Sequence, residues 1–168
     1  MARRYHYQET SLFAWWVHLL IWFCALACIV PAVLPILTGG ERPLREVGYL
    51  IAIGLAIPAF LYLLFGSLRT RVTSEAVEIS WGLSGIIRKV VSFSQIESME
   101  PVTYRPIREF GGWGIRFGRG KKQAWTASGN QALVLHLKGG VHLYVGSGHP
   151  ARLEERIRSA MSIKQPSQ

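Results

Sequence analysis

The segment 105–122 holds the densest group of side chains able to bind a ligand. Arg105, Arg108, Arg116, Arg119, Lys121 and Lys122 stand against a single acid, Glu109, and are interleaved with Phe110, Trp113 and Phe117. Glycines at 111, 112, 114, 118 and 120 let backbone approach a partner closely. Cations on such a loop suit lipid phosphates, with the aromatics resting at headgroup level. The competing reading is a solvated hairpin whose glycines make turns and whose Trp113 enters the core. Nucleotide phosphates fit neither way. Five residues separate Gly114 from Gly120-Lys121 where a Walker loop has four, and Lys122 stands where Ser or Thr is required. The run 112–117 also lacks the third glycine of a dinucleotide fingerprint.

Other chemistry is sparse. His136 and His142 flank Gly139-Gly140. If Lys138 pairs with Val141 across a two-residue turn, the imidazoles fall on opposite faces of the hairpin and make no metal-ligand pair. The chain has no aspartate, so paired-carboxylate catalysis falls to glutamates, and Glu97, Glu100, Glu154 and Glu155 read as surface positions. No nucleophile, base and orienting acid come together, so the expectation is a protein that is not an enzyme and carries no metal. His18 stands apart, because it lies in an uncharged apolar stretch beside Trp15, Trp16 and Trp22. Histidines inside a membrane pair, face another helix or ligate a group. A tryptophan-rich helix with one histidine is similar to pigment-binding antenna helices, which would make His18 a pigment or haem ligand. The plainer alternative is a hydrogen bond to a neighbouring helix or to a lipid headgroup.

The elements that must position these residues divide sharply. No Asp, Glu, Lys or Arg occurs from Thr10 to Gly40 or from Val47 to Leu68. Apolar runs of this length predict two membrane-spanning helices, about 12–37 and 47–65, in a hairpin over residues 1–68. The first run is too long for the apolar core of a signal peptide, and a second span follows it. Arg3 and Arg4 precede the first span, and Arg69, Arg71, Arg88 and Lys89 follow the second; the connection 41–46 has two arginines and no net charge. The positive-inside rule then places both termini and the remaining chain in the cytoplasm. From residue 47 onward 15 Lys and Arg face 7 Glu, within a chain of net charge +9. Such a surface is drawn to an anionic leaflet. Cys24 and Cys28 lie one turn apart in the first span, where a disulfide is geometrically poor, and read as packing residues.

Beyond the spans the pattern becomes short and alternating. Strands are expected at 69–74, 76–81, 86–93, 96–104, 113–117, 123–127, 132–137 and 141–145, the last two joined at Gly139-Gly140. Pro150 opens an amphipathic helix in which Leu153, Ile157 and Ala160 or Met161 share a face. About seven strands and one helix suggest a small antiparallel barrel, closed or covered at one end by the helix.

That order, with Phe110-Gly111-Gly112-Trp113-Gly114-Ile115-Arg116 in its middle and Gly146-Ser147-Gly148-His149-Pro150 before the helix, resembles the bacterial pleckstrin-homology-like domain. The resemblance covers roughly 69–163, leaves 164–168 as a disordered tail, and rests on structural glycines and aromatics. It implies a mainly-β PH-like barrel carried by transmembrane helices, acting by interaction rather than catalysis. The turn 73–75, Thr-Ser-Glu, lacks the cations of a phosphoinositide pocket.

The residues predict a non-enzymatic membrane protein, and the resemblance implies that its membrane is the bacterial inner membrane. Its partners would be other integral membrane proteins, which it would join as an accessory subunit or assembly factor. Small residues Ala25, Ala27, Ala32, Gly54, Ala56 and Ala59 would permit close helix packing. The alternative is a sensor of anionic lipids working through the loop 105–122. No nucleic-acid motif is present, and a nucleic-acid partner is not expected.

Overall fold

The computed structural model describes residues 7–40, 42–82 and 84–164. Arg3 and Arg4, and the tail beyond Lys164, lie outside the described residues. The described residues open with a strand that the sequence did not predict, β1 (Tyr7–Leu12), followed by helices α1 (Trp15–Leu37) and α2 (Leu44–Phe65). At 1.5 Å per residue each helix is roughly 33 Å long, and both are long and apolar enough to cross a membrane. They pack as a hairpin in which Ala25 and Ala32 are buried. At Gly54 a Cβ would lie 2.8 Å from Ile29 Cγ1 and 3.3 Å from Cys28 Cβ. Small residues are used at the seam between the two helices, as close packing requires. The outward faces carry Trp15, Leu19, Trp22, Phe23 and Leu26, all exposed.

After the hairpin come β2 (Ser67–Val72), β3 (Ala76–Trp81), β4 (Ile87–Ser92), β5 (Ile96–Thr103), α3 (Pro106–Phe110), β6 (Gly114–Phe117), β7 (Lys122–Thr126), β8 (Gln131–Leu137), β9 (Val141–Gly146) and α4 (Pro150–Lys164). The expected strands are present, with boundaries shifted by one or two residues. The closed barrel is not. The strands form two sheets, one of order β1-β2-β3-β4 and one of order β5-β8-β9-β7-β6. Eight of the nine predict from local alternation, but the parallel pairing of β7 with β9 depends on a crossover that no local pattern encodes.

One apolar core lies between the sheets. Leu68, Val77, Ile79 and Val91 come from the first, and Trp125, Leu133, Leu135, Leu143 and Val145 from the second. Leu153, Ile157 and Ala160 of α4 close it, as their spacing predicts. A second, smaller cluster covers the outer face of the five-stranded sheet, where Phe110 packs edge-on against Tyr104 and Tyr144. The short helix α3 delivers Phe110. Pro106 occupies its first turn, and Gly111 ends it in the left-handed region (φ 73°), where glycine carries no Cβ penalty.

Strand β1 pairs antiparallel with β2 from Tyr7↔Val72 to Leu12↔Ser67. The helical hairpin is therefore inserted between two neighbouring strands of one sheet. Glu9 adds a tie to the far end of the domain: its carboxylate accepts from Ser147 Oγ (2.7 Å) and from the Gly148 amide (2.8 Å). Ser128 Oγ donates to the Leu12 carbonyl (2.8 Å) just ahead of α1.

Candidate functional site

The basic segment 105–122 is not one patch. Strands β6 and β7 form a hairpin from Gly114↔Thr126 to Phe117↔Gln123, and its two ends serve different neighbours. At the open end Trp113 does not enter the core. Its ring lies 6.3 Å from that of Trp16 at the start of α1, and its indole N–H donates to the Gly129 carbonyl (2.7 Å). Arg116 Nε donates to the Trp113 carbonyl (3.2 Å). At the turn, Lys121 adopts a left-handed conformation (φ 59°) and its ammonium reaches the Gly139 carbonyl (3.0 Å). Arg119 is exposed on the same turn. The two ends are roughly 10–13 Å apart along the strands.

The remaining cations attach to α3. Lys122 lies 3.8 Å from Glu109 and over the Tyr144 ring at 5.6 Å. Glu109 also accepts from the Arg105 amide (2.8 Å), so the only acid of the segment fastens the helix start. Arg108 is exposed on α3. Of the residues singled out from the sequence, the structure brings Trp113 and Arg116 together with the membrane-length helices and disperses the others.

Trp113 and Arg116 line a cleft of about 480 Å³ at the junction of hairpin and domain. Val17, Leu20, Ile21 and Leu61 form its helical wall; Phe13, Trp81 and Ile115 form the domain wall. Phe13 meets Trp81 edge-on at 5.2 Å. The Trp81 indole N–H is buried and has no hydrogen-bond partner among the described residues, an uncommon state for a buried donor. No sequence signal marks this cleft, because its walls come from four separate stretches of chain.

His18 finds its partner across the hairpin. Its Nδ1 lies 2.8 Å from the Tyr62 hydroxyl, with the rings stacked at 5.5 Å. This is the helix-to-helix hydrogen bond that the plainer reading of His18 anticipates.

The expectation for His136 and His142 is overturned by the register. Leu137, not Lys138, pairs with Val141, so His136 and His142 stand directly opposite on one face. The turn holds three residues, Lys138, Gly139 and Gly140, and both glycines are left-handed (φ 89° and 74°). One extra turn residue moves every side chain to the other face. The imidazole Nδ1 atoms are 2.7 Å apart, and His136 Nε2 lies 3.2 Å from Glu100 Oε1 on β5. Among the described residues no group of three or more His, Cys, Asp or Glu is placed to hold a metal ion.

Burial shifts three groups in the domain. The Tyr104 phenol is pushed up, chiefly by burial. Tyr7 is raised by burial and then by Glu9 beside it. Lys89, whose ammonium donates to Gln123 Oε1, is lowered by burial.

No family model matches the chain, and no curated protein matches its sequence.

Proposed function

We propose that this chain is a non-enzymatic, membrane-anchored interaction protein, an accessory or assembly subunit of a larger membrane complex. In this reading α1 and α2 span the bacterial inner membrane, and both termini and a pleckstrin-homology-like domain lie at the cytoplasmic face. The observation that carries it is the pairing of β1 with β2 on either side of the hairpin. A domain joined by one flexible linker would sample many poses. A domain whose sheet contains both feet of the hairpin is held in one pose, which suits a part that positions neighbours. The exposed Trp, Leu and Phe side chains of α1 then offer an apolar flank for other spans. The test is gentle detergent extraction from the native membrane, then native-gel migration and mass spectrometry of co-migrating chains. A defined assembly of reproducible composition supports the subunit role; migration as a lone small protein rejects it.

A second reading, anionic-lipid sensing, is favoured by the junction cleft. Its helical wall is continuous with the apolar hairpin, Arg116 lies at its domain side, and the Trp81 N–H lacks an acceptor. A phospholipid would place an acyl chain along Val17 and Leu20 and its phosphate beside Arg116. The full chain must be used, because a fragment beginning after the hairpin loses β1. Reconstituted in nanodiscs, the protein should retain anionic lipid selectively, and R116E should reduce that retention severalfold. Equal retention of zwitterionic and anionic lipid removes this reading.

A further inference from the structure

The strand register assembles a pair of side chains that the proposed function does not use. His136 on β8 and His142 on β9 face each other with their Nδ1 atoms 2.7 Å apart and their rings nearly perpendicular, at 82°. Two imidazole nitrogens at this distance can share a single hydrogen, with one ring donating and the other accepting. Glu100 decides which. A carboxylate accepts only, so the 3.2 Å contact puts a hydrogen on His136 Nε2. In the neutral ring that leaves His136 Nδ1 with a lone pair aimed at its neighbour. His142 Nδ1 then carries the shared hydrogen.

This carboxylate–imidazole arrangement is the one that orients and strengthens histidine metal ligands. We infer that His136 and His142 form a two-nitrogen site for a divalent transition-metal ion of imidazole preference, such as Cu²⁺, Ni²⁺ or Zn²⁺, with Glu100 as its positioning residue. The ion takes the place of the shared hydrogen. His142 moves its proton from Nδ1 to Nε2 and presents a second lone pair, so the neutral pair binds without net proton release. Metal–nitrogen bonds of about 2.0–2.1 Å hold two nitrogens roughly 2.8–3.0 Å apart at adjacent corners of the square that Cu²⁺ and Ni²⁺ prefer and roughly 3.3–3.4 Å apart around tetrahedral Zn²⁺, so the rings must part by roughly 0.1–0.7 Å. Both histidines are only half-buried, which leaves room for that movement and for waters on the remaining coordination positions. Lys122, in register with His142 on β7, is the nearest cation in the row; Glu109 and the Tyr144 ring engage its ammonium.

The test uses the full chain purified in detergent without a histidine tag and titrated with Cu²⁺ alone, followed by calorimetry and electron paramagnetic resonance. The expected result is one ion per chain with two nitrogen ligands in the spectrum, and with Cu²⁺ held more tightly than Zn²⁺. H136A and H142A should each remove one nitrogen coupling and weaken binding at least tenfold. E100A should keep both nitrogens yet weaken binding about 10–100-fold. Circular dichroism of each variant separates loss of ligand from loss of fold. Unchanged affinity in the H136A/H142A double variant overturns the site. Unchanged affinity in a folded E100A variant overturns the preset tautomer, reducing the pair to two ordinary surface histidines.

Discussion

The hairpin and the five-stranded sheet are built from the same residue types with opposite exposure. Leu19 on α1 is 59% exposed and Phe23 69%, whereas Leu135 and Leu143 on β8 and β9 are fully enclosed. Apolar side chains in the sheet have a core to enter. Those on the hairpin have only a seam, narrow enough that alanine and glycine fill it, and present the rest outward. Both helices are long and apolar enough to cross a membrane, and a bilayer would supply the apolar cover that the outward side chains of the hairpin lack within the chain. Between the two regions lie the β1–β2 pairing and the junction cleft.

The sharpest way to break this comparison is to shorten one leucine in each region. Leu135→Ala opens a cavity in a filled core and should cost about 2–5 kcal/mol, read as a lower urea midpoint of the domain followed by tryptophan fluorescence in detergent. Leu19→Ala removes an outward side chain and should change the stability read from that midpoint by less than about 0.5 kcal/mol. Comparable losses would mean that the α1 face packs on the domain rather than facing its surroundings.

A smaller effect is expected at the joint. Glu9→Ala removes the acceptor shared by Ser147 Oγ and the Gly148 amide, leaving two donors at the start of α4 without their carboxylate. Hydrogen bonds to a charged group contribute about 1.5–3 kcal/mol each in favourable settings. Glu9 is partly exposed and water replaces some of the loss, so about 1–2 kcal/mol is expected. Hydrogen exchange should quicken first in β1 and the loop before α4, while β8 stays protected. Uniform acceleration across both sheets would show that β1 is integral to the core rather than a clasp on it.

How much of this was legible follows from where each signal resides. The hairpin reads directly from two uncharged runs, and α4 from the spacing of Leu153, Ile157 and Ala160. Strands β2 to β9 read from alternation and glycine punctuation. β1 does not, because the face it turns inward carries Tyr7, Glu9 and Ser11, a set without apolar alternation in which Glu9 finds its partners at Ser147 and Gly148. α3 is one turn lodged among glycines, too short to show a period. The His136–His142 pair was misplaced by a single turn residue, since Gly139-Gly140 fits a two-residue hairpin equally well by composition. The basic segment was legible as composition only. Its division between the junction, α3 and the β8–β9 turn depends on pairings that span the whole domain.

The smallest expected effect concerns Tyr104, which belongs to neither the main core nor the surface. Its ring packs with Phe110 and Tyr144 on the outer face of the five-stranded sheet, and its hydroxyl is buried without a hydrogen-bond partner among the described residues. Burial raises its pKa above the ordinary 10.0. The folded chain thus keeps a proton that the unfolded chain releases, so the native state loses stability as pH climbs past 10 and is unaffected by this group below it. Tyr7 acts in the same direction, whereas Lys89, lowered by burial from 10.5, acts oppositely: its contribution to stability rises as pH approaches 10.5. Tyr104→Phe keeps the ring contacts, removes the unpaired hydroxyl and should stabilise the domain by up to about 1 kcal/mol at neutral pH. Its advantage over the native chain should widen between pH 10 and 11, because one of the two tyrosines that drive the alkaline decline is gone. Urea midpoints of both chains at pH 7 and pH 10.5 decide the matter. A constant difference between them would show that the Tyr104 hydroxyl reaches water in solution, and that the cluster under α3 is an open surface rather than a second core.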